Sequence, residues 1–103
     1  MEKGAYAVIF TSRLGADAEG YGAVADRMET LVRGQPGYLG HDSVRGEGGL
    51  GITVSYWASE AAVAAWRANA EHLGAQAMGR ARFYDWFRLD VCRVERTHGF
   101  ARD

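Results

Sequence analysis

The chain has one cysteine and one proline in 103 residues. A lone Cys92 excludes an intramolecular disulfide framework and any cysteine-rich zinc site, and it fits a reducing compartment. An excess of charge of one sign is also missing. Twelve Lys+Arg stand against thirteen Asp+Glu, for a formal net charge of −1. Such a balance offers no general field for DNA, RNA or an acidic membrane. No apolar run approaches the roughly 18 residues of a membrane-spanning helix. Met1-Glu2-Lys3-Gly4 leads straight into strand-like sequence without the pattern of a secretory signal, so the cytoplasm is the expected compartment. There is no dinucleotide-binding Gly-x-Gly-x-x-Gly after a strand, no phosphate loop and no His-Glu-x-x-His. The three histidines, His41, His72 and His98, lack the close spacing of a zinc pair, and no metal is expected.

What remains is ordinary globular composition, 48% hydrophobic and 24% charged. One domain is expected over 1–103, ending in a polar tail, Thr97–Asp103, around Phe100. Ala5–Leu14 reads as a strand, with Tyr6, Val8 and Phe10 on one side and Ala7 and Ile9 on the other. Gly15–Gly20 connects to a helix over Tyr21–Arg33, whose stripe is Val24, Met28, Leu31 and Val32. Gly34-Gln35-Pro36-Gly37 stops it. Tyr38–Arg45 and Leu50–Trp57 read as strands joined by a plain glycine-rich loop, Gly46-Glu47-Gly48-Gly49. Ser59 is a suitable N-cap for a helix over Glu60–Asn69. The stripe of Val63, Trp66, Ala70, Leu73 and Ala77 continues to about residue 78, with Gly74 and Gly79 predicting a bend or a second piece. Asp85–Arg96 reads as the last strand.

The order β-α-β-β-α-β predicts an α+β, ferredoxin-like fold: a four-stranded antiparallel sheet with both helices on one face. The other face has nothing to cover it. Ala7, Ile9, Trp57, Trp86, Cys92 and Val94 are assigned to that exposed apolar side, and a second copy packed sheet to sheet is the expected solution.

The second helical region gathers chemistry. Asn69, His72, Gln76 and Arg80 step by three and four along one face, beside Trp66 and ahead of Phe83, Tyr84, Trp86 and Phe87. An apolar cleft edged by these polar groups has the make-up of a small-molecule pocket. The other reading makes Trp66 core and the polar face solvated. Cys92, inside a strand with no nearby lysine or histidine, reads as a small hydrophobe.

Several stretches then resemble the antibiotic biosynthesis monooxygenase (ABM) family of the dimeric α/β-barrel superfamily. They are the strand Tyr6-Ala7-Val8-Ile9-Phe10 and the turn Gly34-Gln35-Pro36-Gly37-Tyr38-Leu39-Gly40. Gly51 to Trp57, followed by Ser59 to Arg67 with Trp66, then Glu71-His72, and the ending from Phe83-Tyr84 to Phe100 complete the match. The resemblance implies a homodimer with a pocket between sheet and helices in each protomer. It also implies oxidation of an aromatic polyketide or quinol by molecular oxygen with no flavin, haem or metal. On this reading Trp66 and His72 are catalytic, Trp66 as wall and donor and His72 as acid–base group. Asn69, Gln76, Tyr84, Arg13 and Ser12 are the substrate-binding candidates. Haem-degrading members of the family use a first-strand Asn, a Trp and a later His. Here Ser12 and Gln76 stand at two of those positions, which disfavours haem. The alternative function is a non-catalytic small-molecule-binding or stress-response dimer of the same fold.

Overall fold

The structure, a computed structural model, describes residues 4–16, 18–72 and 83–102, with side chains of 70–72 outside the description. The order is β1 (Tyr6–Leu14), α1 (Tyr21–Arg33), β2 (Tyr38–Arg45), a 3-10 turn (Glu47–Gly49), β3 (Leu50–Trp57), α2 (Glu60–His72) and β4 (Tyr84–Arg93). The four strands form one antiparallel sheet in the order β2-β3-β1-β4. This is the α+β, ferredoxin-like arrangement the element order predicts. The predicted continuation of the second helix past His72 lies outside the described residues. The last strand ends at Arg93, three residues earlier than expected.

Local chemistry sets both helices. Gly34 closes α1, its N–H reaching the Leu31 carbonyl at 3.2 Å. Gly37 then turns at φ 81°, where a Cβ would stand 2.6 Å from Ala62 Cβ on α2. A left-handed turn in such close contact favours glycine, and it ties the end of α1 to the start of α2. Ser59 caps α2 as expected, accepting the Ala62 N–H at 3.1 Å.

Strand register assigns every side chain to one of two faces. Tyr6, Val8, Phe10 and Ser12 on β1 pair with Trp57, Ser55, Thr53 and Gly51 on β3. Val8, Phe10 and Ser12 also pair with Val91, Leu89 and Phe87 on β4. This is the helix side. The opposite side carries Ala7, Ile9, Thr11 and Arg13, opposed by Tyr56, Val54, Ile52 and Leu50.

One expectation is corrected. Trp57 belongs to the helix side, not the open side. It shares its parity with Thr53 and Ser55, is 0% exposed, and stacks on Trp66 of α2 with ring centroids 6.3 Å apart and planes at 22°. Tyr38 meets it edge to face at 5.6 Å. The open side nevertheless stays apolar: Leu50, Ile52, Val44 and Trp86 are all exposed there, Val44 by 70%.

Candidate functional site

The two helices do not close down onto the whole sheet. Between them lies a cavity of about 630 Å³, within the range of small-molecule sites. Its floor has two halves. Val8 and Phe10 of β1 with Leu89 and Val91 of β4 form an apolar half, and His41 and Ser43 of β2 with Thr53 and Ser55 of β3 form a polar half. Val24 and Met28 of α1 and Val63 and Trp66 of α2 form the roof. The hydroxyls on the floor are ordered by each other: Ser43 and Thr53 share a 2.7 Å hydrogen bond, and the Trp57 indole N–H donates to Ser55 Oγ at 2.9 Å.

Tyr84 closes one end. Strict alternation along β4 would send it to the same side as Trp86. The pairing instead skips Asp85, with Arg13 opposite Trp86 and Leu14 opposite Tyr84. This bulge turns Tyr84 onto the helix side. There its ring meets Phe10 at 5.5 Å and Tyr21 at 5.8 Å. Burial, and then a hydrogen bond with Tyr21, push the Tyr84 phenol well above the ordinary tyrosine value, so its hydroxyl stays protonated and able to donate.

At the other end His41 enters the cavity wall with its side chain 15% exposed. Its Nδ1 is joined to the Tyr38 hydroxyl at 2.5 Å, and its Nε2 stands 3.9 Å from Glu29 Oε1 of α1. Arg33 donates to that same carboxylate oxygen at 2.8 Å. The hydrogen bond and the positive charge of Arg33 hold Glu29 below its usual carboxylate value, so it is an anion at neutral pH.

The residues singled out from sequence separate as follows. Trp66 and Tyr84 line the cavity. Asn69 is half-buried on α2, three residues beyond Trp66. Ser12 is 0% exposed and receives a 3.1 Å hydrogen bond from Arg45 Nη2. Arg13 opposes Leu50 and Trp86 on the open side and donates to the Gly48 carbonyl at 2.7 Å. The period of two along β1 places it opposite to Ser12 and away from the cavity. The side chain of His72, and Gln76 altogether, lie outside the described residues. His41, Tyr38 and Glu29 were not singled out as a site. Their signal was present in the alternation His41-x-Ser43 and Thr53-x-Ser55, a polar inner face under two helices. Among the described residues, no cluster of three His, Cys, Asp or Glu could hold a metal ion, and no helix is long and apolar enough to cross a membrane.

An antiparallel sheet roofed by two helices over a cavity defines a class of small α+β domains. Known proteins narrow it. The family profile described as antibiotic biosynthesis monooxygenase matches residues 10–78, and the chain belongs to that family. The uncharacterized protein YqjZ of Bacillus subtilis (strain 168) is 45% identical over 95 residues, 92% of this chain and 83% of the relative. Among solved structures the fold is shared with Rv0793 of Mycobacterium tuberculosis, at TM-score 0.79 and 21% identity over 92% of this chain and 99% of that one. It is also shared with SnoaB, a cofactor-independent oxygenase from Streptomyces nogalater, at TM-score 0.76 and 14% identity over 91% of this chain and 96% of that one.

Proposed function

We propose that this protein is a cofactor-independent monooxygenase acting on a polycyclic aromatic of the polyketide or quinol type. The observation that carries the reading is the 630 Å³ cavity roofed by Trp66, whose ring is held by its stack on buried Trp57. Flat aromatic walls and a hydroxyl-bearing floor suit a planar ring system with oxygen substituents. SnoaB, an oxygenase without a cofactor, has the same fold, and this favours chemistry run by the substrate itself. In such a reaction a ring methylene loses its proton to the protein, and the resulting carbanion passes electrons to molecular oxygen. One oxygen atom becomes the new carbonyl; the other leaves as water with both methylene hydrogens. The protein excludes solvent, orients the ring and moves the proton. Trp66 is the wall and donor, Tyr84 and Asn69 orient the substrate, and His72 and Gln76 are candidates by helical position. Haem is disfavoured because Ser12, at the first-strand position, is buried and held by Arg45.

The working unit we propose is a cytoplasmic homodimer. Its support is the inverted amphipathicity of the β2–β3 hairpin. Ser43, Thr53 and Ser55 face the helices, while Val44, Ile52 and Val54 face outward. A second copy seated on that side would cover the aliphatic row.

Oxygen uptake with anthrones and naphthoquinols on metal-stripped protein tests the activity. Uptake above the uncatalysed rate, retained in part by Trp66→Phe and reduced about tenfold or more by Trp66→Ala, is the expected result (tenfold corresponds to roughly 1.4 kcal/mol). Tight binding of the same compounds without uptake would instead support the ligand-binding dimer.

A further inference from the structure

Proton removal needs an acceptor inside the cavity, and the described walls contain one imidazole, His41. We propose that His41 is the acid–base group of this cavity, held by Tyr38 and Glu29, and that it takes the proton of a phenolic or enolic hydroxyl on the bound ring. The inference rests on the reading of the cavity as an aromatic-binding site.

Three features support it. The Tyr38 hydroxyl at Nδ1 can accept that nitrogen's hydrogen, which leaves Nε2 with its lone pair. Nε2 is the nitrogen turned toward Glu29, 3.9 Å away, so the imidazolium formed by proton uptake faces a carboxylate. The hydroxyls of Ser43, Thr53 and Ser55 run along the same half of the floor, His41 and Ser55 being cross-strand partners. An oxygenated ring edge lying over these hydroxyls would bring its O–H to His41. The step balances simply: the substrate O–H bond breaks, its electron pair stays on oxygen as a phenolate or enolate, and a new N–H bond forms at Nε2. The charged groups around His41 are Glu29 and Arg33 from α1, with Glu60 and Arg67 of α2 on the same cavity wall. From β3 only neutral Thr53 and Ser55 meet the floor beside it.

Alizarin, a dihydroxyanthraquinone whose neutral and anionic forms differ in colour, reports the step directly, and unsubstituted anthraquinone reports binding alone by tryptophan quenching. Wild-type protein is expected to bind both and to lower the apparent pKa of bound alizarin by about one unit, a tenfold shift in ionisation. His41→Gln and His41→Phe should bind anthraquinone within about threefold of wild type and return alizarin to its solution titration. Glu29→Gln should keep only part of the wild-type shift. His98→Ala, in the exposed C-terminal tail, should leave the shift in place. Retention of the full shift in both His41 variants, or its loss in His72→Ala alone, overturns the assignment while leaving the cavity reading intact. Failure of wild-type protein to bind either compound overturns the cavity reading and this inference with it. Circular dichroism of each variant establishes that the fold is preserved.

Discussion

The guanidinium of Arg45 lies over Gly51, its cross-strand partner, so closely that a Cβ on the glycine would meet Arg45 Cζ at 2.5 Å. Glycine at this position lets the arginine cross β3. It donates to Ser12 Oγ and to the Tyr21 hydroxyl, each at 3.1 Å, and to the Gly49 carbonyl. Its charge also sits 5.4 Å from the centre of the Tyr21 ring. One long side chain thereby links β2, β1 and α1 at the Tyr84 end of the cavity.

Gly51→Ala should therefore destabilise the protein by displacing Arg45, at about 1 kcal/mol, the net worth of a few partly exposed hydrogen bonds. The loss should vanish in an Arg45→Ala background, because nothing is then left to displace. Urea unfolding of the four proteins of this double-mutant cycle measures the coupling. Equal costs of Gly51→Ala in both backgrounds would show that the glycine serves some other need.

Tyr84 gives a pH prediction. The folded state holds its phenol above the ordinary value of 10.0, by burial and by its bond to Tyr21. The unfolded chain ionises first as pH rises. The stability Tyr84 contributes is thus fully present below about 10 and is lost as pH climbs through the higher folded value. Tyr84→Phe should flatten the alkaline limb of the stability curve. An ultraviolet titration should also show one fewer tyrosine ionising above the ordinary range than wild type. An unchanged titration in Tyr84→Phe would place the protected phenol elsewhere.

The outward row Val44, Ile52 and Val54 predicts the assembly. Ile52→Lys or Val44→Asp should convert a micromolar dimer to a folded monomer, read by sedimentation with circular dichroism unchanged. These side chains are largely outside the protomer's own packing, Ile52 being 41% exposed, so the fold itself should tolerate the charge. A wild-type monomer at micromolar concentration would remove the dimer from the proposal.

Most of the frame was legible in the sequence because alternation and helical stripes are local signals. Val8 and Phe10 against Ala7 and Ile9, the Ser59 cap and the Pro36-Gly37 stop all appear as read. What escaped depends on pairing between distant segments. The inner position of Trp57 follows from its register with Tyr6, and apolar character alone does not fix a face. Tyr84 reaches the cavity through the bulge at Asp85, which only β1 defines. His41 has polar neighbours in sequence, and polarity along one strand marks no cavity; the helices above turn that polar strip into its floor. Arg13 and Ser12 adjoin in sequence and still lie on opposite faces.

The hollow between helices and sheet has a thermodynamic consequence. Aliphatic groups that would fill the centre of a fully packed domain instead face open space, so the unliganded protein forgoes part of its cohesion. Whatever fits that space supplies it, and occupancy adds to folding stability in proportion to RT ln(1 + [L]/Kd), roughly 2.7 kcal/mol at a hundredfold excess over Kd. In a chain of 103 residues that corresponds to a melting shift of ten degrees or more, by the rule of roughly 4–8 °C per kcal/mol for small domains. The protein can therefore act as its own sensor: a collection of aromatic metabolites can be ranked by the heat the chain withstands, with no assumption about the reaction it performs.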